Sequence, residues 1–385
     1  MIIRKLTDAD LEQHEFVGSL SFIYRYANGD PLEMPACDLL GAFMDDDKTL
    51  MANLEAENFE LTFNGHKINC AGVGGVCTRP ECRRGGAVYR LFDKVFENEQ
   101  YDVSLLYPFS NIFYRKLGYT NAGHIIELTF PLADLSFVPR DFDVELYDGS
   151  QSEALYAFYN KNAFKTDLTF LRNSDRYFYE KPYEMLHYTY LGKNKNGIVD
   201  GYVSFKCDRG NSTIRVNEIA FENRAALFNL LAFLRVYDGN YKTLIIDRLP
   251  IWSPIFSILP NTAKDVFKTM RDMGSVRVMN LEKILKLTKY PQEAGHFSIY
   301  SDDPLERNHG IFDVVFKNGQ AEITRRSEGD YDIRLDAAAL SGLVLCGFDG
   351  DFDELSCWQG VEIINENPDI LRVFTKKRIY FIDAL

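Results

Sequence analysis

The run from Cys70 to Tyr119 leaves this chain few options, because strand, glycine turn, helix and strand follow one another there without a break. It opens with CAGVGGVCTRP (Cys70 to Pro80), small and β-branched residues closed by a proline that cannot donate to a ladder. Glu81 to Glu99 follows, in which Val88, Leu91, Phe92, Val95 and Phe96 recur at helical spacing, so a helix starts near Gly86. Its first turn faces Arg83-Arg84-Gly85-Gly86. A helix start offers unpaired N–H groups and partial positive charge, and glycines let a diphosphate approach the backbone. The turn can therefore hold a pyrophosphate. Alone, an Arg-Arg-Gly-Gly turn is an ordinary loop; the strand before it and the amphipathic helix after it supply the meaning. Tyr101 to Pro108 then reads as a strand, and Ser110 to Gly123 as a short helix stopped by Gly118.

The order V-x-x-x-P-x-x-R-x-x-G, helix, strand, F-Y-R-x-x-G-Y is carried by Val76, Pro80, Arg83, Gly86, Phe113, Tyr114, Arg115, Gly118 and Tyr119. It resembles the GNAT N-acetyltransferases. With a long middle region and the tail segment DIRLDAAALSGLVLCG (Asp332 to Gly347), the whole chain is similar to the enhanced intracellular survival (Eis) branch of that family. Two departures are visible: Gly85 stands where many GNAT proteins carry a basic or polar residue, and Val88 where many carry Gly or Ala. The resemblance implies an α/β (α+β) fold of tandem GNAT domains followed by a sterol-carrier-protein-like domain. It implies acetyl-CoA as cosubstrate, bound by Val76, Cys77, Thr78, Arg83, Arg84, Gly85, Gly86, Ala87, Val88 and Ser110. It further implies Tyr114 as general acid and the terminal carboxylate, here on Leu385, as base, with Asp383 or water as fallback. Phe22, Tyr24, Asp30 and Glu33 are the candidate contacts to an amine acceptor, an aminoglycoside, polyamine or lysine. A homohexamer built as a dimer of trimers is also implied. Two readings from other classes stand beside this: a CoA sensor without turnover, and a lipid or small-molecule binding protein using the tail domain.

Composition narrows the partners. A net charge of −13 and a pI near 5.1 repel nucleic acid and suit a cationic acceptor. MIIRKLTDADLEQ has no apolar signal core, and no run approaches a membrane span, so a soluble, cytoplasmic protein without a membrane partner is expected. Seven scattered cysteines without a CxxC pair, and six dispersed histidines, predict reduced thiols and no metal site. Cys77, in the cofactor strand, reads as a small buried hydrophobe rather than a nucleophile.

The length of 385 residues calls for more than one core. The first unit is expected over 1–135, closed by a strand at Ile125 to Phe130. A second α/β unit is expected over 144–287, with helices at Glu153 to Asn162 and Arg224 to Tyr237; Phe221-Glu222-Asn223-Arg224 replaces the glycine turn there, so it should not bind CoA. The third is expected over 292–385, with a hairpin at Asn318-Gly319 and a helix at Asp336 to Leu343.

Overall fold

The computed structural model describes residues 1–22, 37–173, 187–259 and 266–383. It divides into two compact units, Met1–Ala122 with Gly274–Ile379, and Gly123–Met273 with Tyr380–Asp383.

In the first unit the chain runs β1 (Ile2–Lys5), α1 (Leu11–Phe22), β2 (Asp38–Phe43), β3 (Leu50–Phe63), β4 (His66–Thr78), α2 (Ala87–Phe96), β5 (Val103–Leu106), α3 (Asn111–Arg115) and β6 (Thr120–Asn121). β1 to β4 pair antiparallel in order, and β4 pairs parallel with β5. β3 and β4 meet through Asn64-Gly65, both left-handed at φ 52 and 88, a turn whose twist suits a two-residue hairpin. One face of the sheet, with Ala52, Leu54, Ala56, Ala71 and Val73, packs on the Ala87, Leu91, Phe92 and Val95 side of α2. The opposite face, with Leu39, Phe43, Leu50 and Cys77, packs on Leu11 and Val17 of α1. The helical spacing expected after Gly86 is the observed buried stripe.

Two irregularities of β4 open the sheet. Asn53 pairs with Cys77 and Glu55 with Gly74, so Gly75 and Val76 together face Leu54, a β-bulge with Gly75 at φ 57. Pairing with β5 runs only from Cys70↔Val103 to Val73↔Leu106. Beyond Val73 the edge of β4 has no strand partner among the described residues.

The strand Ser275–Val278, far down the chain, completes this sheet by inserting antiparallel between β5 and β6. Its Arg277 is fully buried and donates to the carbonyl of Leu117 at 2.6 Å and to Asp303 at 2.7 Å. Gly118 is at φ 83, and a Cβ there would lie 1.5 Å from Nη1 of Arg277. A second sheet of the same unit orders Gln320–Arg326, Gly310–Lys317, Gly295–Asp302, Ile333–Asp336 and Val361–Ile363. Asn318 and Gly319, at φ 54 and 76, make the hairpin expected there. Asp336 caps the helix Ala337–Ser341 by accepting from the Ala339 N–H at 2.7 Å.

The second unit contains β7 (His124–Pro131), β8 (Val144–Leu146), α4 (Ser152–Ala163), β9 (His187–Lys193), β10 (Val199–Asp208), β11 (Thr213–Phe221), α5 (Arg224–Arg235), β12 (Thr243–Pro250) and β13 (Phe267–Asp272). They form one sheet in the order β13-β7-β12-β11-β10-β9-β8. The strand at 125–130, read from sequence as closing the first unit, is β7 and belongs here, between β12 and β13. Alternation along a strand states which face is buried, not which sheet the strand joins. Likewise Ser275–Val278, inside the span assigned to the second unit, belongs to the first unit's sheet.

Residues 380–383 are tied into this second unit. Arg172, 2% exposed, donates to Glu218 at 3.0 Å and to Asp383 at 2.5 Å. Tyr202 donates to Glu218 at 2.6 Å, Thr169 to the Tyr380 carbonyl at 2.6 Å, and Arg248 to the Ile382 carbonyl at 2.7 Å. Asp383 is thus a buried ion-pair partner, which withdraws it as a fallback base.

Candidate active site

The parting of β4 from β5 leaves a pocket of about 770 Å³. It is lined by Ser21 and Phe22 of α1, by Val76, Cys77 and Thr78 of β4, by Cys82, Arg83, Arg84, Gly86, Ala87 and Val88 around the turn, and by Tyr89, Phe109 and Phe113. The turn is built to meet an anion. Arg84 and Gly86 take left-handed conformations at φ 66 and 79, flanking Gly85, so successive N–H groups converge as in an anion-binding nest. The N–H groups of Gly85, Gly86, Ala87 and Val88 have no hydrogen-bond acceptor among the described residues. Gly86, at the cap position, has no side chain to satisfy them. Arg83 and Arg84 are exposed and make no ion pair among the described residues.

The second unit supplies an internal contrast. There β11 and β12 pair parallel over four residues, as β4 and β5 do, and α5 follows β11 as α2 follows β4. The α5 start, however, is closed by Asn223, whose side chain accepts from the Ala226 N–H at 3.1 Å. Its own cap fills the place where an anion would sit.

Tyr114 lies on α3, 3% exposed, edge-on to Phe109, Phe113, Phe92 and Tyr119 at ring-centre distances of 5.3, 5.1, 6.0 and 6.0 Å. Burial raises the pKa of its phenol well above the ordinary value, so it stays protonated at neutral pH. Cys77 donates to Asn53 at 3.2 Å, and burial pushes its thiol up to about 12, which suppresses the thiolate a nucleophile needs.

The pocket gathers Phe22, Val76, Cys77, Thr78, Arg83, Arg84, Gly86, Ala87 and Val88 of the expected residues. Gly85 lines an adjoining depression with Gly86, Tyr89 and Arg90. Ser110 is spent locally, accepting from the Phe113 N–H at 3.3 Å as the cap of α3. Tyr24, Asp30, Glu33 and Leu385 lie outside the described residues. Sequence reading missed Ser21, Cys82, Tyr89, Phe109 and Phe113 as lining residues. Of these, Ser21 carried a signal: it shares one face of α1 with His14 and Gly18, at helical spacing. Among the described residues there is no cluster of three or more His, Cys, Asp or Glu able to hold a metal, and no helix long and apolar enough to cross a membrane.

The profile of the acetyltransferase (GNAT) domain matches residues 3–122, and a second GNAT-domain profile matches residues 169–278. The chain belongs to the GNAT family of N-acetyltransferases. A sterol carrier protein domain profile matches residues 281–370, so this N-acetyltransferase has the Eis-like order of two GNAT domains and a sterol-carrier-type domain. No curated protein sequence matches the chain. Solved structures share the fold along its whole length. A conserved protein from Enterococcus faecalis superposes with a TM-score of 0.85 at 18% identity, covering 100% of this chain and 99% of that one. A GCN5-related N-acetyltransferase from Anabaena variabilis gives 0.83 at 18%, covering 100% of both. Eis1 from Mycobacterium abscessus gives 0.77 at 20%, again covering 100% of both.

Proposed function

We propose that the enzyme transfers an acetyl group from acetyl-CoA to an amine, with the first GNAT domain as the catalytic one. The observation that carries this reading is the run of N–H groups from Gly85 to Val88, which have no acceptor among the described residues and lie beside Arg83 and Arg84. Bound there, acetyl-CoA would supply a thioester whose carbonyl carbon accepts the amine nitrogen. The turn would take the pyrophosphate, its N–H groups donating and the two guanidinium groups neutralising charge. Val76 to Thr78, at the edge that β5 abandons, would hold the pantetheine arm by strand-like hydrogen bonds. A main-chain N–H at the bulge would donate to the oxygen as it gains negative charge.

Tyr114 would deliver its proton to the departing sulfur. A phenol held protonated by burial remains a donor throughout the neutral range and regains its proton from water after each turnover. The resemblance to Eis enzymes assigns proton acceptance to the carboxylate of Leu385. Acceptors of the polyamine, aminoglycoside and lysine classes suit an acidic protein with net charge −13. A homohexamer in a cytoplasmic setting completes the proposal, checked by light scattering of the purified chain.

The decisive test measures acetyl-CoA binding by calorimetry and CoA thiol release across aminoglycosides, polyamines and lysine peptides. Wild type is expected to bind and turn over at least one class. Tyr114→Phe should lower turnover by ~10²-fold or more at unchanged acetyl-CoA affinity, the range for loss of a positioned acid. Arg83→Ala with Arg84→Ala should weaken acetyl-CoA binding by ~10–100-fold, as for loss of charge-assisted hydrogen bonds. Absence of acetyl-CoA binding by wild type would overturn the proposal.

A further inference from the structure

On the sheet face covered by α1, beside the β4 bulge, lies a set of polar groups that the donor side of the reaction does not use. Glu55 of β3 pairs in register with Gly74, and its carboxylate lies over the next residue: a Cβ built on Gly75 would sit 2.5 Å from Oε1 of Glu55. Gly75 therefore leaves room for this carboxylate as well as taking a left-handed φ of 57. No described residue donates a hydrogen bond to Glu55, and 35% of its side chain remains accessible. Among the described residues its one basic neighbour within 4 Å is the imidazole of His14 of α1, with Nε2 3.9 Å from Oε1 and only 13% accessible.

The same face of α1 holds two buried polar atoms with no hydrogen-bond partner among the described residues, Nδ1 of His14 and Oγ of Ser21. Ser21 lines the pocket, and so does Cys77, whose thiol feels the Glu55 charge. Unsatisfied buried donors and acceptors cost about 1–3 kcal/mol each, and two on one helix face, one of them in the pocket lining, mark a place kept for a polar guest. An ammonium group, with up to three donors and a positive charge, matches an undonated carboxylate, a hydroxyl oxygen and an imidazole nitrogen.

We propose that Glu55, backed by His14 and in place of the Leu385 carboxylate that the resemblance suggests, binds the incoming amine as its ammonium ion and takes its proton. The proposal rests on the acetyl-transfer reading above. The proton passes from nitrogen to the Glu55 carboxylate, and the freed lone pair forms the N–C bond at the thioester carbon. The C–S bond breaks with its electron pair going to sulfur, which takes the Tyr114 proton, while the nitrogen, positively charged after attack, loses its second proton to water. Glu55 then releases its proton through His14 to water, and Tyr114 is reprotonated from water. The balance is one ammonium and one acetyl thioester giving one amide, one thiol and one released proton. The acceptor class that follows is an alkyl amine that arrives charged.

The test compares Glu55→Gln, Glu55→Asp and wild type on two amine classes, alkyl amines that are protonated at the assay pH and hydrazides or anilines that are already neutral. Glu55→Gln is expected to keep wild-type acetyl-CoA affinity and to lose ~10²-fold in single-turnover rate toward alkyl amines. Its loss toward neutral amines should be within about threefold, since no proton need be removed before attack. Glu55→Asp should restore part of the alkyl-amine rate, and His14→Gln should show a smaller loss with the same selectivity. Equal losses toward both amine classes, or full alkyl-amine activity in Glu55→Gln, would overturn the assignment. Failure of wild type to bind acetyl-CoA would instead remove the acetyl-transfer reading on which it stands.

Discussion

Gly118 shows how a single residue can carry a meaning its neighbours in sequence do not reveal. In the motif F-Y-R-x-x-G-Y it reads as a helix stop, and its φ of 83 agrees. The structure adds a second reason, because the guanidinium of Arg277 occupies the space a side chain would need and fastens the Leu117 carbonyl. Gly118→Ala is expected to destabilise the protein by about 3 kcal/mol or more, from left-handed strain plus disturbance of the buried Arg277–Asp303 pair. Denaturant titration would read the loss, and Arg277→Lys should not relieve it, since the planar fork that bonds both Leu117 and Asp303 is gone. The glycine was legible in sequence; its partner 159 positions away was not, because nothing local in Gly274-Ser275-Val276-Arg277 announces where that strand inserts. The same holds for Glu55 and His14, each an ordinary polar residue until folding brings carboxylate and imidazole within 3.9 Å.

Among elements, the starts of helices separate what sequence can state from what it cannot. The spacing of Val88, Leu91, Phe92, Val95 and Phe96 gave α2 its register, and the lack of a glycine turn before α5 distinguished the two GNAT domains; both are local patterns. The opening of α1 is held differently. Arg4 of β1 donates to Asp10 at 2.7 Å, and that hydrogen bond, with the Thr7 N–H at 2.8 Å, lowers the Asp10 carboxyl to about 2. A carboxyl depressed in the folded state adds stability that is complete above its ordinary value and is lost as pH falls through the folded one. Asp10→Asn should therefore cost about 1 kcal/mol near neutrality, discounted because Arg4 is partly exposed. The gap from wild type should close as the pH approaches about 2, which thermal unfolding across pH would show. Nothing local in the sequence shows Arg4 as part of this cap, because it reaches the helix only once β1 has paired with β2.

At the scale of the molecule, the first unit is assembled from two stretches of chain separated by the second. Its sheet needs Ser275–Val278 between β5 and β6, and the Arg277 anchor arrives with that strand. A fragment limited to residues 1–135, the boundary that hydrophobic pattern alone suggests, lacks the strand that covers the free edge of β5. It is expected to give a collapsed, aggregation-prone species without cooperative unfolding, whereas the full chain unfolds cooperatively; calorimetry of both would decide. Pattern marked β7 as a strand but placed it in the wrong unit, and it did not mark Ser275–Val278 as a strand at all; sheet membership is a long-range property.

This interleaving bears on how the protein is made. Roughly 150 residues separate Asn121 from Ser275, and a ribosome adding about 5–20 residues per second needs some 8–30 s to deliver them. For that interval the first GNAT domain waits on the nascent chain with its sheet unfinished, far longer than hairpins such as β3–β4 take to form. An open strand edge is thus exposed throughout that wait, and the sheet closes only after most of the chain has left the exit tunnel.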